Sequence, residues 1–416
     1  MDEKSCSNGF HIDEDGEMSL YRKDATSVVF FKIVYGEDDV TSKSDVFKPV
    51  MAHQIFGDSE SIFGYRSLAM NIYYLHNSAR CYVDIQKSME IKKSEIYKPD
   101  NIMHSLEPWL PSEFTANKSE FKKMIENEKH DLIFGRVLAE FKDEKQGKLI
   151  SDQNVQVNYK ITKCDITDEN FQRFHSKFET FIVWYIDAAN PIDLTDDRWM
   201  LYYVYEEFEH PVTNEIYRSA VGYCSVYKFY AYPDNIRARI SQFFILPPHQ
   251  RKGIGSKLYH TIINDIKKMP KVIDVTVEEP TPHFQKIRDF EDCTTIYKEL
   301  NGAGIDICST NTKKIFGYMK KEKICKRQCQ RVYDILCCYK ASKLSQVDYK
   351  KSFTDIKNRI TADIERETRG SKRICNLERA GIFTEPTDRK VLIETEYKRY
   401  IDDIKPSIKN LQKNFG

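Results

Sequence analysis

HQRKGIGSKLYHTI, residues 249–262, decides how the rest of this 416-residue chain is read. It follows SQFFILPP and opens a helical pattern in which Ile254, Leu258, Ile262 and Ile266 form one i, i+4 stripe. A strand, a glycine turn and a helix in that order present backbone N–H groups and the positive end of the helix to an anion, usually a phosphate. Three glycine signatures compete for the turn. A P-loop ends in Gly-Lys-Ser/Thr, whereas Gly255 is followed by Ser256 and then Lys257. The dinucleotide pattern G-x-G-x-x-G fits Gly253 and Gly255 but meets Leu258 at its third glycine, and the strands before the turn read as antiparallel. The third, Gln-x-x-Gly-x-Gly, is met in full by Gln250, Arg251, Lys252, Gly253, Ile254 and Gly255.

Outward from the turn, RWMLYYVYEEF, YRSAVGYCSVYKFYAY and RARISQFFIL read as three consecutive strands before it, and KVIDVTVEE as a strand after its helix. TPHFQKIRDF reads as a short helix. DITDENFQRFHSKFETFIVWYIDAA has Phe171, Phe174, Phe178 and Ile182 at helical spacing and predicts one long helix. The layering implied is α/β, or α+β, around a mixed sheet. The first 24 residues read as flexible, and residues 25–150 as a β-rich N-terminal mixed domain with a short helix at SEFKKMIENEKH. Asp143 to Asn154 is polar and turn-rich and predicts a boundary. Residues 151–300 form the central domain, and residues 301–416 a charged helical domain with Val332, Leu336 and Tyr339 on one stripe.

Composition narrows the classes. Apolar residues make up 41% and charged residues 31%, as in an ordinary globular protein, and a net charge of +1 gives no global pull toward nucleic acid or membrane. The longest strongly apolar run, Phe181 to Ile186, is far short of the roughly 20 residues of a membrane-spanning helix. The acidic, polar N-terminus has no signal-peptide pattern. Eleven scattered cysteines with no CxxC pair suggest reduced thiols, and ten histidines without paired spacing suggest no metal site. His249 and His260, which flank the turn, read as structural. The basic run KKEKICKRQCQR, residues 320–331, reads as a solvated helix face or a basic patch.

The glycine hexamer looks like the pyrophosphate loop of GNAT N-acetyltransferases, and its surroundings narrow the match. SQFFILPPHQRKGIGSKL, HQIFGDSESIFGY, FIVWYIDAANPIDLTDDRW, VGYCSVYKFYAYPD, IDVTVEEP with KIRDF, and QRVYDIL resemble, in order and spacing, blocks of the type B histone acetyltransferase catalytic subunits. That resemblance implies a GNAT fold and transfer of acetyl from acetyl-CoA to lysines in the N-terminal tail of free histone H4, in a direct ternary complex. A lysine has a pKa of about 10.4, so the site must take its proton and stabilise an oxyanion.

By resemblance, Glu278 is the general base, with Glu279 and Asp187 as the accompanying carboxylates. Glu279 stands where relatives usually carry aspartate, and Asp187 where they carry glutamate. Consecutive strand residues face opposite sides, so Glu278 and Glu279 both approach an amine only if the strand ends or kinks before Pro280. An isolated Glu-Glu pair would otherwise be a solvated strand end. The resemblance assigns Phe243, Phe244 and Ile245 to the pantetheine arm and Gln250 through Ser256 to the pyrophosphate. Many relatives have glycine in place of Arg251. The histone-tail contacts implied are Asp58, Ser59 and Glu60 on one wall, and Trp199, Tyr227, Lys228 and Phe229 on the other. The resemblance also implies a WD-repeat propeller histone chaperone and histones H3 and H4 as partners, no direct nucleic acid or membrane binding, and cytoplasmic and nuclear residence. The rival readings are a same-fold acetyltransferase for another amine and a non-catalytic histone-binding chaperone.

Overall fold

The structure is a computed structural model that describes residues 18–42, 44–92, 97–143, 148–150, 153–370 and 386–415. Its chain divides into two compact units, one running to Val226 and including Gln242–Ile254, the other made of Tyr227–Ser241 and the chain from Gly255 onward.

The first unit holds β1 (Arg22–Asp24), β2 (Val29–Val34), β3 (Ser61–Phe63), β4 (Tyr65–Leu75), β5 (Cys81–Glu90), β6 (Arg136–Lys142), β7 (Lys148–Ile150), β8 (Gln153–Val155), β9 (Asn158–Lys163) and β10 (Trp199–Glu209). β11 (Ile216–Ala231) and β12 (Asn235–Ile245) pass from this unit into the second. β2 pairs in parallel with β4, and β4 antiparallel with β5. β9 pairs antiparallel with both β10 and β6. Alternation places Met70, Ile72 and Tyr74 of β4 inside, each at most 1% exposed. Aromatic rings fill this core: Phe31 meets Phe47, Phe181 and Trp184 at centroid distances of 5.6, 5.7 and 5.2 Å.

Three expectations change here. Arg22–Asp24, counted with the flexible first 24 residues, pairs with Ser61–Phe63; residues 1–17 lie outside the described residues. The polar stretch Asp143 to Asn154 is not a boundary between units. It contains the β7–β8 pairing, and β6 and β9, which flank it in the chain, pair with each other. The long helix stops early: Asp168 caps Glu169–Phe178, which passes into a 3-10 helix at Glu179–Trp184. Phe181, Ile182, Val183 and Trp184 are all buried, so consecutive residues are apolar on every side and no single stripe demands an α-helix.

In the second unit, β13 (Val272–Val277) pairs in parallel with β12, from Ile236 with Val272 to Ile240 with Val277. Parallel neighbours need a crossover, supplied by the helix Ile254–Lys267. Its predicted stripe is the buried one: Ile254, Leu258, Ile262 and Ile266 are each 0% exposed. Full burial of one such side chain contributes roughly 1.5–3 kcal/mol.

TPHFQKIRDF begins a helix of 21 residues, Pro282–Gly302, longer than its motif and crossing the expected border at residue 300. The helices Thr312–Lys321, Lys326–Leu344, Gln346–Gly370 and Pro386–Phe415 follow. Val332, Leu336 and Tyr339 lie in their shared core with Ile404 and Ile408. Asp289, 0% exposed, is held there by Arg331, whose Nε and guanidinium nitrogen donate at 2.8 and 2.7 Å. Among the described residues, no helix is long and apolar enough to cross a membrane, and no cluster of His, Cys, Asp or Glu is arranged to hold a metal ion.

Candidate functional site

The glycine turn has the backbone that an anion cradle requires. Arg251 has φ +64° and Gly253 φ +84°, so two left-handed residues bend the chain tightly just before the helix at Ile254. Arg251 thereby holds a conformation that favours glycine. The first turn of the helix carries no acidic residue of its own. Gln250 does a different task from the rest of the loop. Its Nε2 donates to the Ile245 carbonyl at 2.8 Å and ties the loop back to the end of β12. Lys252 stands 3.9 Å from Asp143.

β12 continues past its ladder with β13. The register ends at Ile240 with Val277, and the Glu278 N–H adds one bond to the Ile240 carbonyl at 2.9 Å, while β12 itself runs on to Ile245. Leu246 N–H bonds the Val221 carbonyl of β11, so the alternating Ile245 turns its own backbone groups to the opposite edge. Gly222 makes the β11 side of this end close: a Cβ there would stand 2.4 Å from the Phe244 carbonyl oxygen. Phe244 stacks on Tyr185 at 5.1 Å and is buried, so its side chain is closed to a ligand.

Glu278 is exposed, and its Oε2 accepts from Ser241 Oγ at 2.8 Å. β13 ends at Val277, and Glu279 takes φ +33° before Pro280, so the strand does break between the two glutamates. Glu279 turns into a cavity lined by arginines. Asp187 lies in the first unit, 77% exposed, with Oδ1 3.0 Å from His53 Nε2.

The three residues of Asp58, Ser59 and Glu60 part company. Glu60 Oε1 accepts from the N–H groups of Ala52 and His53 at 2.7 and 3.0 Å, so it caps the short helix His53–Phe56 instead of facing solvent. Ser59 Oγ bonds Ser61 Oγ at 3.0 Å, and Asp58 is exposed. In the second unit Tyr227 packs on Phe229 at 4.6 Å, and the Arg239 guanidinium stands 4.6 Å over the Phe229 ring. Lys228, between them, is half-buried. Trp199 begins β10 in the first unit and packs against its core.

Sequence reasoning passed over His53, Ser241 and Gln242. His53 links two singled-out acids, with Nδ1 3.5 Å from Glu60 and Nε2 on Asp187. Its only signal was its place at the head of the block HQIFGDSES. Gln242 Nε2 donates to the Asn190 carbonyl at 2.8 Å, and its Oε1 accepts from Tyr223. Cys224 is fully buried with its thiol pushed well up by burial, which removes it as a nucleophile. His249 is buried, and burial lowers its pKa to about 4, in keeping with a structural role.

Residues 21–187 match the family described as the N-terminus of the histone acetyl transferase HAT1, and residues 171–285 match the acetyltransferase (GNAT) family. The chain is similar to the histone acetyltransferase type B catalytic subunit of Schizosaccharomyces pombe, with 30% identity over 379 residues covering 88% of each protein. To the human protein of that name it is 27% identical over 360 residues, covering 85% of this chain and 83% of the relative. To that of Cryptococcus neoformans it is 31% identical over 270 residues, covering 61% and 65%.

Proposed function

The chain belongs to the type B histone acetyltransferase catalytic subunits, a family of protein lysine N-acetyltransferases with the GNAT fold, and from that premise we propose that it acetylates lysines in the N-terminal tail of free histone H4, drawing on acetyl-CoA. The observation that carries this reading is the glycine turn. Two left-handed residues and a helix start with no acidic residue in its own first turn stand directly after a strand end that reaches beyond its ladder.

These features fit an acyl-CoA. The backbone of residues 250–256 would hold the pyrophosphate, and the backbone of Phe243 to Ile245 would pair with the pantetheine arm. When bound, the cofactor supplies an activated acetyl thioester.

The protein's own residues supply the rest. A lysine of the tail arrives protonated, because its pKa is about 10.4. Glu278 takes that proton, and Ser241 Oγ, donating to Oε2, orients the carboxylate. The neutral amine would then be able to take the acetyl group directly, the amide bond forming as the carbon–sulfur bond of the thioester breaks and CoA leaves as its thiol. Backbone N–H groups at the end of β12 stabilise the charge that develops on oxygen. A basic tail needs acidic and aromatic contacts, for which Asp58, Asp187, Trp199, Tyr227 and Phe229 are the candidates. Within the same proposal, the chain works with a WD-repeat propeller histone chaperone on histones H3 and H4, in cytoplasm and nucleus.

The test is transfer of radiolabelled acetyl from acetyl-CoA to an H4 tail peptide, beside versions with single Lys→Arg changes. Transfer that disappears with one or two lysines supports the reading. Absence of transfer to the peptide, to free H4 and to H3–H4 with the chaperone, while another amine is acetylated, overturns the substrate.

A further inference from the structure

In the second unit, a cavity of about 990 Å³ is lined by six arginines: Arg239, Arg288, Arg327, Arg331, Arg359 and Arg399. None of residues 250–256 lines it, so it is separate from the glycine turn. Three acidic side chains also line it, Glu279, Glu396 and Asp403.

The arginines fall into two sets. Three are tethered by carboxylates behind the wall. Arg331 is held by Asp289 and Asp403, Arg359 by Asp334 at 2.6 Å, and Arg288 stands 3.7 Å from Asp292. Even so, Nε of Arg288 and Nε of Arg359 are buried without a hydrogen-bond partner, and Arg288 is only 6% exposed. A buried guanidinium N–H left unbonded is a costly arrangement; for Arg288 the Asp292 carboxylate 3.7 Å away eases it, and Arg359 Nε is the one that an entering acceptor would relieve.

The other three have little to hold them. Among the described residues, Arg327, which is exposed, makes no ion pair or hydrogen bond and Arg239 has only the Phe229 ring; Arg399, 81% exposed, lies 3.9 Å from Glu396. Arg239 and Arg327 are thus the two lining cations with no carboxylate within 4 Å among the described residues, and their part of the wall favours an entering anion.

We infer that this cavity binds a small polyphosphate, inorganic or organic. Planar guanidinium forks match phosphate oxygens two at a time, and arginine, not lysine, supplies every basic side chain of the lining. The enclosed volume suits a small molecule, whereas an acidic peptide would need an extended groove. A single phosphate cannot neutralise three separated guanidinium groups, so the ligand carries at least two.

The probe is inorganic tripolyphosphate, titrated calorimetrically into the full chain at 150 mM salt, in the parent and in Gly253→Ala, which impairs the glycine turn as a competing anion site. Binding is expected to persist in Gly253→Ala, and to weaken about tenfold or more in Arg327→Gln/Arg399→Gln, since each lost guanidinium removes charge-assisted bonds. Both side chains are exposed, so that variant is expected to keep its circular dichroism and urea midpoint. Lys313→Gln/Lys314→Gln, with the same loss of charge on an exposed helix outside the cavity, is expected to bind as the parent does. Three results would each overturn the inference: loss of binding in Gly253→Ala, equal weakening in the two double variants, or displacement of the probe by a hexaglutamate peptide as readily as by ATP.

Discussion

Replacing Glu278 with glutamine isolates the proton-transfer step. The two side chains have the same shape. Glu278 is exposed, and its backbone bond to Ile240 does not involve the carboxylate. Ser241 Oγ, 2.8 Å from Oε2, can donate equally well to a carboxamide oxygen. Stability should therefore change by less than about 0.5 kcal/mol, and acyl-CoA affinity should hold. Turnover should not. A positioned base contributes about 100- to 10,000-fold, or roughly 2.7–5.4 kcal/mol of barrier. The pH dependence carries the sign. With no carboxylate to accept the proton, the variant depends on lysine that is already neutral. Below a pKa of about 10.4 that fraction rises about tenfold per pH unit. In the parent, an ionised Glu278 takes the proton from the bound ammonium group, so its kcat/KM is nearly flat over the same range. The measurement is kcat/KM for an H4 tail peptide at pH 7, 8 and 9, for parent and variant. The deficit should narrow by about tenfold per pH unit. An unchanged rate at pH 7 would refute the assignment of the base. So would a deficit of constant size across the three pH values, which would point to a positioning role instead.

Three further outcomes follow from the packing. Asp289→Ala leaves the Arg331 guanidinium with Asp403 as its remaining carboxylate partner inside the helical core, and should lower stability by about 3–5 kcal/mol, read from the urea midpoint. Gly253→Ala meets open space but must hold φ +84°, so it should cost about 1–2 kcal/mol in the loop; calorimetry should show weaker acyl-CoA binding, and KM for acyl-CoA should rise more than kcat falls. Burial lowers the pKa of His249 to about 4 and that of His76 to about 3, from 6.5. Both must be neutral when folded, so the stability they confer is full above pH 6.5 and is lost as pH falls toward 4 and then 3. The loss is on the order of a few kcal/mol for each group. Urea midpoints at pH 7, 5.5 and 4.5 should fall in that order, and the fall should shrink in His249→Gln.

Elements with one period and one buried face were readable from the chain alone. Ile254, Leu258, Ile262 and Ile266 announced their helix because a four-residue stripe has one structural meaning, and all four are buried. The strands around the turn were equally clear. Periodicity failed where burial is complete: FIVW is apolar at every position, so it continued the helical pattern of Phe171 to Phe178 on paper but folds as a 3-10 helix. Polarity misled at Asp143 to Asn154, where a short hairpin joins two paired strands. The border at residue 300 fell inside a 21-residue helix because a charged helix interior resembles a linker in composition. At the site, the sequence names residue types but not their bonds, and those bonds decide what each carboxylate can do.

Four carboxylates that look equivalent in a linear reading separate once their partners are known. A general base must keep lone pairs open toward the amine. Glu60 has spent an oxygen on two backbone N–H groups of a helix cap, and turning it outward would unmake that cap. Glu279 sits on a left-handed residue and faces the arginine cavity, where a carboxylate is drawn to guanidinium rather than to ammonium. Asp187 is exposed but held by His53 Nε2 at 3.0 Å. That contact fixes the direction of a side chain otherwise free to turn in solvent, and His53 is itself placed by the cap that Glu60 makes. Glu278 alone combines an exposed carboxylate, a single orienting hydroxyl and an attachment through Ile240 to the strand whose end carries Phe243 to Ile245. The unequal bonding of these acids, more than their spacing in the chain, is what argues for one base with the others serving charge and position.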